Sequence, residues 1–226
     1  MVDEITYKGT MASEGNQKNF IKILGLIILI LLLDQVVKFY VKTTFTLGDG
    51  IKMFGLDWAQ IRFVENYGAA FGMELGGKVG KYILTVFRLV AGGMLFWFTY
   101  DQFLKNKGRF FVISLAMITA GAFGNIIDGL FYGVLFSDSS QGVAEFLPSA
   151  GGYSTFFDGY VVDMFYFPII DTHWPEWVPK YGGRRLIFNQ FIFNVADVAI
   201  TTGTLGIVFA SFRSKKSQNA PTEELD

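Results

Sequence analysis

The sequence predicts an all-α membrane bundle of four transmembrane helices that carries a small extracytoplasmic β-containing region. Three observations predict it. Of the 226 residues, 51% are hydrophobic and 17% charged, where a soluble domain carries about a quarter charged residues. Four apolar runs are long enough to cross a hydrocarbon core of about 30 Å, which takes about 20 helical residues. The two long segments between them alternate in polarity or are rich in Gly, Ser and aromatics, and neither reads as a span.

The spans are expected at about 20–39, 79–100, 110–130 and 188–212. Between the first two lies segment 43–77, where Ala59 to Val64 (AQIRFV) alternates as a short strand does. Between the last two lies segment 132–187, whose Trp174, Pro175, Trp177 and Pro179 read as interfacial anchoring rather than a fifth span. The domain reading is a single membrane domain over 19–216. Polar cytoplasmic tails, 1–18 and 217–226, flank it and are expected to be mobile. The polar stretch before the first apolar run, with no small-residue cleavage site after it, does not read as a cleavable signal peptide.

Orientation follows from the short connections. Lys105, Lys107 and Arg109 follow span two, Arg213, Lys215 and Lys216 follow span four, and Lys18 and Lys22 flank the start of span one. In a four-span chain these clusters share one side, and the excess of Lys and Arg makes it cytoplasmic. Both termini are then cytoplasmic, in a bacterial inner membrane.

Composition also excludes. The net charge of −1 gives no field for nucleic acid. With no cysteine, disulfides, thiolate metal sites and a cysteine nucleophile are out. The single His173 rules out a two-histidine zinc protease. No metal and no cofactor is expected, and without a repeat or heptad the chain is expected to be monomeric, with membrane lipids around it.

Ionisable side chains inside spans are costly, so each is a functional hypothesis. Asp34 and Lys38 stand four apart near the end of span one. Asn125 and Asp128 stand three apart near the end of span three. Asn194 and Asp197 stand three apart in the first half of span four. Residues at these spacings share a helix face, and all three pairs fall at the outer level of the bundle. Asp34–Lys38 reads first as a self-compensating ion pair, and Asn125 and Asn194 also suit interhelical hydrogen bonding. Asp128 and Asp197 have no cation beside them on their own helix, so topology alone nominates them as partners. Arg88, within span two, either pairs with one of these acids or snorkels. Asp163, after a β-branched run, reads on its own as an ordinary loop aspartate.

Five blocks in order resemble the lipoprotein signal peptidases, or signal peptidase II. They are Asp34-Gln35-x-x-Lys38, Asn66-Tyr67-Gly68-Ala69-Ala70-Phe71-Gly72, Gly121 to Asp128 (GAFGNIID), Gly159-Tyr160-Val161-Val162-Asp163 and Phe193-Asn194-Val195-Ala196-Asp197. The resemblance implies that Asp163 and Asp197 are a catalytic carboxylate dyad, with Asn66, Asn125, Asp128 and Asn194 as supporting polar residues. It implies as substrate a diacylated prolipoprotein, cut just before the lipidated cysteine at the extracytoplasmic face. Gly68 and Gly72 suit either close approach of a peptide backbone or simple turn chemistry. Three features depart from the family pattern. Gly129 stands where an Arg usually follows the acid, 133–158 separates Asp128 from Asp163, and the excursion 164–187 is long.

Rival readings are weaker. A transporter would carry acids through the whole depth of the bilayer, but the inner halves of spans one, three and four carry none. The G-x-G-D signature of presenilin-like proteases is absent. A serine–lysine peptidase would need a lysine pattern around Ser137, Ser139 and Ser140, and the local sequence has none.

Overall fold

The structure, a computed structural model, describes residues 2–67, 77–188 and 191–218, and side chains within 19–67, 79–170, 172–186 and 191–213. Among the described residues, four helices are long and apolar enough to cross a membrane. They are α1 (Val2–Lys42), α2 (Gly77–Leu104), α3 (Arg109–Leu135) and α4 (Val195–Gln218). Two boundaries differ from expectation. The stretch expected as a mobile N-terminal tail is helical from Val2, and its sequence spaces Glu14 four residues before Lys18, an order that favours helix. The fourth span begins at Val195 instead of 188. Of the residues before it, Phe188 ends one strand and Ile192–Phe193 form another, as β-branched and aromatic residues favour.

The chain divides into two compact units. One comprises Met1–Leu33, Leu89–Gly124 and Ala196–Asp226, and among its described residues the regular elements are helices. Ile23 and Ile27 of α1 bury against Val112, Ala116 and Ala120 of α3. Lipid tails are as apolar as these side chains, so close backbone approach and interhelical hydrogen bonds hold such helices together. A Cβ on Gly121 would lie 2.3 Å from the Ala196 carbonyl oxygen of α4. A Cβ on Gly203 or Gly206 would meet Ser114 of α3 at 2.5 or 2.3 Å. The Thr99 and Thr119 hydroxyls, 2.9 Å apart, link α2 to α3. Ile28, Leu29 and Leu32 of α1 and Leu205, Phe209 and Phe212 of α4 face outward, as lipid-facing positions do.

The other unit comprises Asp34–Arg88 and Asn125–Val195. It joins helix ends to an antiparallel sheet in the order β1 (Gly50–Lys52), β2 (Gln60–Asn66), β3 (Val161–Tyr166) and β6 (Ile192–Phe193). A separate hairpin pairs β4 (Ile170–His173) with β5 (Arg185–Phe188). The expected strand at 59–64 is therefore present as β2. The anchoring segment lies in the β4–β5 turn, where Trp174 packs on Tyr181 and Trp177 is 80% exposed.

Alternation along β2 and β3 sorts the side chains. Val64 pairs with Asp163, Glu65 with Val162 and Asn66 with Val161. Phe63, Val162 and Met164 join Val41, Tyr132, Phe136 and Ala144 in one core. Val64, Asn66, Val161 and Asp163 fall on the opposite face.

Segment 133–158 folds back on the end of α3. Phe136 bridges Phe146, and the Ser154 and Phe157 amides donate to the Gly133 and Leu130 carbonyls. Its Ser139 reaches the end of α1, where Lys42 pairs with Glu65 of β2. The Lys42 ammonium donates to Ser139 Oγ at 2.8 Å, and Ser139 Oγ donates to Glu65 at 2.9 Å. Tyr153 and Phe136 place their rings 5.0 and 5.3 Å from the ammonium, a cation–π setting that favours a desolvated charge.

Candidate active site

The site grows from the last helical turns of the second unit. Residues four apart on α1 put Asp34 and Lys38 on one face, and Lys38 Nζ lies 2.8 Å from Asp34 Oδ2. The same ammonium lies 2.8 Å from Asp128 Oδ2 of α3 and donates to Asn125 Oδ1 at 2.9 Å. Lys38 has three donors and no acceptor, and two carboxylates and an amide oxygen take all three. Gln35 Nε2 donates to the other Asp128 oxygen at 2.9 Å, and Tyr132 donates its hydroxyl to Gln35 Oε1 at 3.2 Å. The ion pair is fully enclosed, a setting in which desolvation must be repaid by complete hydrogen bonding.

Asp128 also ties the helices to the sheet, because the Val162 amide of β3 donates to Asp128 Oδ2 at 3.3 Å. One residue further along β3 is Asp163, only 5% exposed. Asn194 Nδ2 donates to Asp163 Oδ1 at 2.7 Å, to Asn125 Oδ1 at 3.1 Å and to the Val162 carbonyl at 3.3 Å. Asn66, diagonal to Asp163 across the β2–β3 ladder, directs Nδ2 at Asp163 Oδ2 from 3.5 Å. The approach of β3 to α3 is close. A Cβ on Gly159 would fall 2.0 Å from the Asp128 carbonyl oxygen, so only glycine fits there.

Asp34, Lys38, Asn66, Asn125, Asp128, Asp163 and Asn194 thus form one connected polar network within the second unit. Asp197 belongs to the helical unit, in the first turn of α4, where an acid meets the positive end of the helix dipole. Asn194 is the residue before α4 rather than within it. Gly68 and the rest of its block through Gly72 lie outside the described residues.

Two sequence expectations change. Asp128, nominated by topology as a partner for Asp197, is neutralised by Lys38 and held by Gln35 and Val162. Lys38 is a cation beside Asp128. The lysine pattern missing around Ser139 in sequence exists in space, since Lys42 lies 2.8 Å away. That pair is no nucleophile and base, however. Lys42 is 0% and Ser139 2% exposed, and Glu65 engages both. Sequence reasoning passed over Gln35, Lys42 and Glu65. Gln35 sits inside a quoted motif, and Lys42 follows Lys38 by one further helical turn.

A family model described as "Signal peptidase (SPase) II" matches residues 26–213. A lipoprotein signal peptidase of Porphyromonas gingivalis is 46% identical over 182 residues, covering 80% of this chain and 78% of that protein. One from Amoebophilus asiaticus is 30% identical over 211 residues, covering 91% and 85%. Among solved structures, a bacterial membrane enzyme determined by the in meso method at 2.3 Å resolution aligns with a TM-score of 0.55. It shares 22% identity, covering 91% of this chain and 94% of that one, and supports the four-helix fold with its small sheet region.

Proposed function

The chain belongs to the signal peptidase II family, and on that premise we propose that Asp163 and Asp197 activate water to remove signal peptides from diacylglyceryl-modified prolipoproteins. The observation that carries the reading is the holding of Asp163. Its carboxylate is nearly enclosed, takes a 2.7 Å bond from Asn194, and faces Asn66. Asn194 stands three positions before Asp197, so the residue that orients one acid is tied by the chain to the other.

Two carboxylates sharing a site hold one proton between them, because both cannot ionise cheaply. The ionised member takes a proton from water as it attacks the scissile carbonyl. The protonated member polarises that carbonyl, and a proton then passes to the leaving amine. The titration belongs to the pair, so neither acid is assigned a fixed role. A lipid-modified cysteine at the membrane interface brings its scissile bond to this level, with its acyl chains against the apolar spans. In this reading the termini are cytoplasmic and the site extracytoplasmic, supported by the basic residues at 105–109 and 213–216.

The test is cleavage of a diacylated prolipoprotein by Asp163→Asn and by Asp197→Asn, each purified in detergent. Each is expected to abolish cleavage while retaining the parent's thermal unfolding profile. Near-parent rates in either variant would refute the dyad.

A further inference from the structure

The helical unit contains a hollow of about 470 Å³ between the start of the α1 span and the α2–α3 turn. Its rim carries Lys22 of α1, Lys107 of the turn and Arg109 at the start of α3, with the amides of Asn19 and Asn106 between them. Its wall is apolar, formed by Ile23, Leu26, Phe103, Val112 and Ile113. Basic residues at a helix end follow from membrane orientation alone, but orientation requires no hollow. Nor does it require three cations from three segments to line the same one. Among the described side chains none of the three is in an ion pair, whereas Lys105 in the same turn is 2.8 Å from Asp101.

We propose that this hollow binds an anionic phospholipid, its phosphodiester head against Lys22, Lys107 and Arg109 and an acyl chain along the wall formed by Ile23, Phe103 and Ile113. The amphipathic lining decides the occupant. Free phosphate would satisfy the rim and leave the wall uncovered, while a zwitterionic lipid would bring a cation of its own to a rim already three charges positive. Basic hollows between transmembrane helices are suited to such head groups. The ligand is independent of the peptidase reaction and of which leaflet the hollow faces.

Native mass spectrometry of the full chain in detergent, titrated with dioleoyl phosphatidylglycerol, dioleoyl phosphatidylcholine or inorganic phosphate, tests this. The parent is expected to retain phosphatidylglycerol over phosphatidylcholine. Each rim substitution, such as Lys107→Gln in the exposed turn, should weaken retention about 5-fold. Lys22→Gln, Lys107→Gln and Arg109→Gln together should weaken it about 100-fold. Ile113→Trp, which keeps every charge but places an indole in the hollow, should weaken it as well. Undiminished phosphatidylglycerol binding in Lys107→Gln or the triple variant would overturn the site. Undiminished binding in Ile113→Trp would reduce it to surface charge, and full displacement of the lipid by millimolar phosphate would make it a free-anion site.

Discussion

Asn194 donates a 2.7 Å hydrogen bond to Asp163 across 31 positions of sequence. The same amide also reaches Asn125 and the Val162 carbonyl, so its orientation is fixed from three sides. Asn194→Ala is expected to lower kcat about 10- to 100-fold with KM little changed, as small misplacement of a reacting group does. Steady-state cleavage measures the split. A rise in KM at constant kcat would make Asn194 a substrate contact instead.

Lys38 pairs with two enclosed carboxylates, Asp34 and Asp128. Lys38→Met should cost about 3–5 kcal/mol, because it strands buried charge. Asp34→Asn should cost clearly less, since Lys38 keeps Asp128 and Asn125. Thermal unfolding in detergent ranks the two, and equal losses would show that Asp128 is not the dominant partner.

The same chemical change should have opposite signs at two helix glycines. Gly121→Ala forces a methyl against the Ala196 carbonyl and Ile200 and should destabilise by about 1–3 kcal/mol. Gly93→Ala meets nothing within 4 Å and should stabilise by up to about 1 kcal/mol. Unfolding midpoints of the two variants decide it.

The activity profile should be bell-shaped with pH, and neighbouring groups contribute neither limb. Asp138 is held below the usual carboxylate range by the amide and hydroxyl of Ser140. A depressed acid stays ionised until pH falls through its own low value, so Asp138→Ala should leave the acid limb in place. Burial pushes the Tyr67, Tyr153 and Tyr160 hydroxyls up, which keeps them neutral across the alkaline limb. A limb that moves with Asp138→Ala would break the link between profile and dyad. Activity lost in chelator and restored by zinc would replace the metal-free mechanism.

Since the chain has no cysteine, single substitutions report topology cleanly. Gly108→Cys, in the exposed α2–α3 turn, and Trp177→Cys, at the β4–β5 turn, should react from opposite sides with a membrane-impermeant maleimide. In intact cells only Trp177→Cys should be labelled. The reverse pattern would invert the orientation.

The spans and the polar pairs were legible because each signal is local. An apolar run declares a helix, and acids three or four apart declare a face. Lys38 read as a partner for Asp34 for that reason, whereas its pairing with Asp128 depends on how α3 approaches α1 and has no local signature. Asp163 is the sharper case. Its neighbours come from the β2–β3 register and from Asn194, so without a family pattern the residue looked like any loop aspartate. The contact of Ser139 with Lys42 has no local signature either, as its lysine comes from 97 positions away. The late start of α4 was hidden because Phe188, Ile192 and Phe193 are as apolar as a helix continuation, and only pairing with Ile170 and with β3 makes them strand.

The bonds of Ser139 to both members of the Lys42–Glu65 pair bear on how this chain can change. Were 133–158 lost in one step, Lys42 would lose a hydrogen bond and two of the three rings around it, and its pair with Glu65 would be stripped of cover. Removing either charge first would leave the other stranded. Each single step is therefore worse than keeping the segment, and only concerted replacement of Lys42 and Glu65 would release it. An extension acquired for any reason, or for none, becomes entrenched once a buried charge depends on it.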